Sequence, residues 1–63
     1  MNRIDEIRRS KGLTYQNLAD ETGLTTTYIW SLAKGKRDNP SLKNMKKISK
    51  VLDSKVSQVF NLE

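Results

Sequence analysis

Thr26, Thr27, Trp30, Ser31 and Lys34 recur at separations of one, three, four, seven and eight residues. That spacing lines side chains along one face of an α-helix. Nothing in the stripe is a catalyst. Its chemistry suits reading instead: a threonine hydroxyl can bond a base edge, and its methyl can touch the methyl of thymine. The stripe lacks Gln, Asn and Arg, so direct readout should be modest, with DNA shape carrying much of the rest. Elsewhere the chain offers no better chemistry. With no cysteine and no histidine, a zinc finger is excluded. The acids Asp5, Glu6, Asp20, Glu21, Asp38, Asp53 and Glu63 define no shared apolar pocket. No enzyme activity, metal or cofactor is expected. Gly35-Lys36 lacks the Gly-x4-Gly-Lys-Ser/Thr frame of a nucleotide-binding loop.

The stripe must be held by a scaffold, and Tyr15 to Lys34 supplies it. Leu18, Ala19 and Thr22 fall on one face of a helix predicted over Tyr15–Thr22. Ile29, Leu32 and Ala33 fall on one face of a second, predicted over Thr26–Lys34. Gly23 between them supplies the left-handed turn that ends a helix. Thr14 and Thr25 are suited to cap the two N-termini. Two short amphipathic helices joined by a tight glycine-containing turn make a helix-turn-helix unit.

Ala19, Gly23 and Ile29, with apolar Leu18, Leu24 and Leu32, resemble the helix-turn-helix pattern of the Cro/CI repressor family. The segment Gly35–Leu52, GKRDNPSLKNMKKISKVL, resembles that family's loop and fourth helix, and Val56–Phe60 its fifth. The likeness runs from about Ile4 to Phe60. It implies an all-α, compact five-helix, lambda-repressor-like domain in which helix 3 enters the major groove. It further implies that the start of helix 2 sits over a phosphate, where Tyr15 and Gln16 can add hydrogen bonds. The family's position for Trp30 is usually small or polar. A family arginine at the position of Arg8 often pairs with a glutamate that is Ala33 here, so Arg8 is left to pair with Asp20 or Glu21, or to stay solvated. The fifth helix often forms the family's dimer contact, which makes Val56, Val59 and Phe60 candidate interface residues.

Sixty-three residues allow one domain, taken here as residues 1–63. A chain so short buries only ~60% of the surface its unfolded form exposes, so its core is small. No apolar run is long enough for a signal peptide or membrane span, and a cytoplasmic, nucleoid-associated protein is expected. Twelve Lys and Arg against seven Asp and Glu give a net charge of +5, a balance that suggests a polyanionic partner. The bases concentrate between Lys34 and Lys50, where Lys34, Lys36, Arg37, Lys43, Lys46, Lys47 and Lys50 face only Asp38.

Around the central unit, helix 1 is predicted over Asn2–Lys11 with Ile4 and Ile7 inward. Asn39-Pro40 makes a turn. Ser41 caps helix 4, whose inward stripe is Leu42, Met45, Ile48 and Leu52. The candidate base readers are Thr26, Thr27, Trp30 and Ser31. The candidate phosphate contacts are Tyr15, Gln16, Tyr28, Lys34, Lys36, Arg37 and Lys43. Tyr28 can alternatively pack on the Lys36–Arg37 loop, Trp30 can belong to the core or to a partner contact, and Phe60 can close the core. The expected function is sequence-specific binding of double-stranded DNA, as a homodimeric transcriptional repressor on an operator. The rival is a protein-interaction module, an antitoxin or partner of a larger regulator. RNA binding is disfavoured for want of an aromatic platform on a sheet.

Overall fold

The computed structural model of the chain describes residues 2–37 and 39–60. Asp38 of the expected loop and the Asn61–Glu63 tail lie outside them. The described residues form five helices and no strand: α1 Ile4–Ser10, α2 Tyr15–Thr22, α3 Thr26–Ala33, α4 Leu42–Val51 and α5 Val56–Phe60. Helix α2 is packed by both α3 and α4, while α5 bridges α4 and α1. One core runs through all five, made of Ile4, Leu18, Ala19, Ile29, Leu32, Ile48, Leu52 and Val59.

Helix α1 begins at Ile4, not at Asn2. The Asn2 side chain takes the role of a terminal tie: Oδ1 accepts the Ile4 N–H at 3.1 Å, and Nδ2 donates to the Leu32 carbonyl at 2.7 Å. The start of α1 is thereby fastened to the end of α3. Helix α3 closes at Ala33, one residue early, with Lys34 as its C-cap. Ile7 and Leu13 are half-buried against the core.

Two expectations fail on burial. Leu42 is 55% exposed. Helix α4 packs against α2 and α5, and its inward stripe starts at the half-buried Met45. Val59 is completely buried, and its carbonyl accepts the Arg3 N–H at 2.7 Å. It therefore has no side-chain surface to offer a second subunit. Phe60 packs against the same core, and Val56 is half-buried.

Ser49 takes an inward place that a purely apolar stripe does not anticipate. It is 2% exposed, and its Oγ has no hydrogen-bond partner among the described residues. A buried hydroxyl without a partner carries its desolvation penalty uncompensated. Ser49→Ala should therefore stabilise the fold by about 1 kcal/mol, a rise in melting temperature of roughly 4–8 °C for a domain this small. Thermal denaturation followed by circular dichroism checks it, and a fall in melting temperature would mean that the hydroxyl is satisfied in solution.

Candidate nucleic-acid interface

The turn between α2 and α3 is built from local chemistry. Thr14 Oγ1 accepts the Asn17 N–H at 3.0 Å, and Asn17 Oδ1 accepts the Thr14 N–H at 2.9 Å, a reciprocal cap. At the other end Gly23 adopts φ 79° and donates its N–H to the Ala19 carbonyl, a conformation an L side chain rarely takes. Thr22 stitches the turn, with Oγ1 donating to the Leu18 carbonyl at 2.7 Å and accepting the Leu24 N–H at 3.1 Å. Thr25 caps α3 by accepting the Tyr28 N–H at 3.0 Å. Ile29 and Leu32 then anchor α3 in the core.

With those residues inside, Thr27, Trp30 and Lys34 are exposed and Thr26 and Ser31 half-buried. Trp30, at 40% exposure, is not a core residue. Tyr15, Thr26, Thr27 and Trp30 line one open recess, so the first residue of α2 meets the outward stripe of α3. Ser31 Oγ donates to the Thr27 carbonyl at 2.8 Å, which commits its proton to the helix and leaves it an acceptor.

Tyr15 and Lys34 are engaged in a way the spacing of residues does not disclose. Asp5 on α1 receives the Tyr15 hydroxyl, Lys34 Nζ at 2.9 Å and Arg8 Nε at 3.1 Å. Arg8 also donates to the Leu13 carbonyl at 2.8 Å, and its guanidinium lies 4.3 Å from the centre of the Tyr15 ring. Arg8 thus pairs with Asp5, not with Asp20 or Glu21. Burial works to raise the Asp5 carboxyl, but the hydrogen bonds from Tyr15, Lys34 and Arg8 outweigh it and hold the group at about 2. Burial, and then the bond to Asp5, push the Tyr15 hydroxyl above its ordinary value, so it stays a proton donor. The Tyr15 hydroxyl proton expected to meet phosphate is already given to Asp5, and the Lys34 ammonium expected there gives one of its three N–H donors and its charge to the same carboxylate.

The remaining candidates divide. Gln16 is exposed and donates to Asp20 Oδ1 at 2.8 Å along its own helix. Lys36, Arg37 and Lys43 are exposed. The loop that carries the first two folds back, with the Lys36 N–H on the Ser31 carbonyl at 2.9 Å. Tyr28 packs on that loop: the Arg37 guanidinium lies 5.2 Å from its ring centre, and its hydroxyl accepts from Asn44 Nδ2 at 3.0 Å. It thereby ties α3 to the start of α4, where Ser41 Oγ accepts the Asn44 N–H and Lys43 stands beside the cap. No helix among the described residues is long and apolar enough to cross a membrane.

A family model described as helix-turn-helix matches residues 4–59. The chain is 34% identical to the HTH-type transcriptional regulator SinR of Bacillus licheniformis over 59 residues, which is 94% of this chain and 53% of that protein. It spans about half the length of the SinR relatives it matches. Among solved structures it is similar to the restriction-modification controller protein C.AhdI from Aeromonas hydrophila, with a TM-score of 0.82 and 36% identity over 89% of this chain and 83% of that one. It is likewise similar to SinR, described as the master regulator for biofilm formation, in complex with DNA, with a TM-score of 0.80 and 35% identity over 86% of each chain.

Proposed function

The chain belongs to the Cro/CI-type helix-turn-helix family, and from that membership we propose that it is a sequence-specific double-stranded DNA-binding regulator of transcription, acting as a repressor. The observation that carries the reading is the outward face of α3. It offers Thr26, Thr27, Trp30 and Ser31 as a stripe on a helix anchored by Ile29 and Leu32, with exposed Lys36, Arg37 and Lys43 beside it. A similar chain, SinR, has been solved with DNA. In this reading α3 lies in the major groove. The start of α2 with Gln16, the start of α4 with Lys43, and Lys36 and Arg37 hold phosphates on either side. Phosphate contacts set position and α3 sets sequence. Repression needs occupancy alone, so no catalytic step is proposed, and the site of action is the cytoplasm.

The described residues act as one DNA-binding domain, which reads few base pairs, so a two-fold pair on a near-palindrome is proposed. Its half-sites lie ~10 bp apart, and the accessible edges of Val56 and Phe60 are the part of α5 left for that contact.

Selection from random duplex DNA yields the preferred site and its symmetry. On that site, Lys36→Ala or Arg37→Ala should weaken binding to all sequences alike and lower the slope of log affinity against log salt by roughly one. Thr27→Ala should instead weaken the selected site more than random duplex. If the chain binds a protein partner through apolar contacts instead, affinity will not fall steeply with salt and no site will be enriched.

A further inference from the structure

A carboxylate is a strange neighbour for a surface meant to meet phosphate, yet Asp5 stands where three helices meet on that side of the molecule. It takes Lys34 from the end of α3, Tyr15 from the start of α2 and Arg8 from its own helix. Its side chain is 19% exposed and that of Lys34 38%. An ion pair shielded to that degree is screened less than a fully exposed one, and it lies across elements separated by 29 residues in sequence.

We propose that Asp5 is a specificity-positioning residue: it withholds the Lys34 ammonium from phosphate and braces the reading helix and the Tyr15 ring against α1. The inference rests on the DNA-binding reading above. Its logic is a difference of affinities. A free lysine at the end of α3 would add attraction to every duplex, because phosphate is present at every step. It would add nothing to discrimination, which comes from base edges and shape. Neutralising Lys34 inside the protein lowers the indiscriminate part of the affinity. Bracing α3 and Tyr15 from α1 keeps Thr26, Thr27 and Trp30 in one geometry for the preferred site.

The test uses the full chain, the selected duplex and a random duplex of equal length, each titrated across a salt series, with circular dichroism on every variant. Lys34→Gln should leave the salt slope on random duplex where it was, since its charge is already held by Asp5, whereas Lys36→Ala lowers that slope by roughly one. Asp5→Asn keeps the size and an acceptor for Tyr15 but releases Lys34. It should steepen the slope on random duplex by roughly 0.9, raise random-duplex affinity several-fold and lower the ratio of selected to random binding. Adding Lys34→Gln to Asp5→Asn should cancel the gain in slope and in random-duplex affinity. A purely structural Asp5 would weaken both duplexes together and leave the slope unchanged, which would overturn the proposal. If Asp5→Asn does not fold, Lys34→Gln decides alone: a slope reduced as much as by Lys36→Ala means Lys34 contacts phosphate and the proposal is wrong. If Lys36→Ala leaves the slope unaltered and no site is enriched, the DNA-binding reading itself fails and this inference falls with it.

Discussion

Trp30→Ala should keep its helical circular dichroism, melt within a few degrees of the parent chain, and bind the selected duplex about thirtyfold more weakly, roughly 2 kcal/mol of lost contact. The first half follows from position. At 40% exposure the indole is not part of the packed interior, and surface substitutions away from special features usually change stability by about 0.5 kcal/mol or less. The second half follows from its neighbours. Trp30 shares a recess with Tyr15, Thr26 and Thr27, the residues through which α3 and the start of α2 would face the groove. A large aromatic surface that becomes desolvated on binding contributes more than its polar neighbours do. Random duplex should lose less than the selected site, because it does not offer the same methyl groups to that recess. The parent chain carries its own probe, since Trp30 is its only tryptophan: emission should be red-shifted when free and change on adding the selected duplex. Blue-shifted emission indifferent to DNA, together with an unfolded Trp30→Ala, would place the indole inside and remove it from the interface.

What could be read directly from the sequence was the local part of this design. Thr14 and Thr25 as caps, Gly23 as a left-handed stop, and the inward pattern of Leu18, Ala19, Ile29 and Leu32 each depend on residues within one or two turns of each other, where spacing is geometry. The missed features depend on what lies across the fold. Leu42 continues the stripe of α4 by spacing, but the described residues leave it 55% exposed. Val59 has the pattern of an exposed apolar residue on a short terminal helix, and becomes interior only because α1 and α4 close over α5. For Arg8 the sequence points to Asp20 and Glu21, the acids of the neighbouring element. Asp5 lies three residues before Arg8, a helical neighbour by spacing alone. Its further bonds to Tyr15 and Lys34 arise only after α1, α2 and α3 have packed, and no periodicity carries that information. The neighbours of Asn2 place it inside a helix, whereas its side chain does better at the helix entrance, where it satisfies the orphan Ile4 N–H.

Ile29→Ala, one residue from Trp30, should do the opposite and unfold a large share of the molecules. Ile29 is fully buried in the core shared with Leu18, Leu32 and Ile48, between the two helices of the central unit. Truncating such a side chain costs about 2–5 kcal/mol, the transfer term plus the cavity it leaves. A chain of this length has only ~3–9 kcal/mol in total, so the melting temperature should fall by roughly 10–30 °C. Thermal unfolding by circular dichroism measures it, and a melt equal to the parent's would mean that α2 and α3 do not pack through this residue. The paired variants separate fold from interface, since Ile29 and Trp30 differ by about 100° around one helix. The selected duplex binds the folded form alone, so a hundredfold excess over its dissociation constant adds about 2.7 kcal/mol of apparent stability. Ile29→Ala should therefore regain helical signal on adding that duplex, because its reading face is intact once folded. Trp30→Ala has no folding deficit to recover, and its weakened affinity should persist at every temperature where the chain is folded.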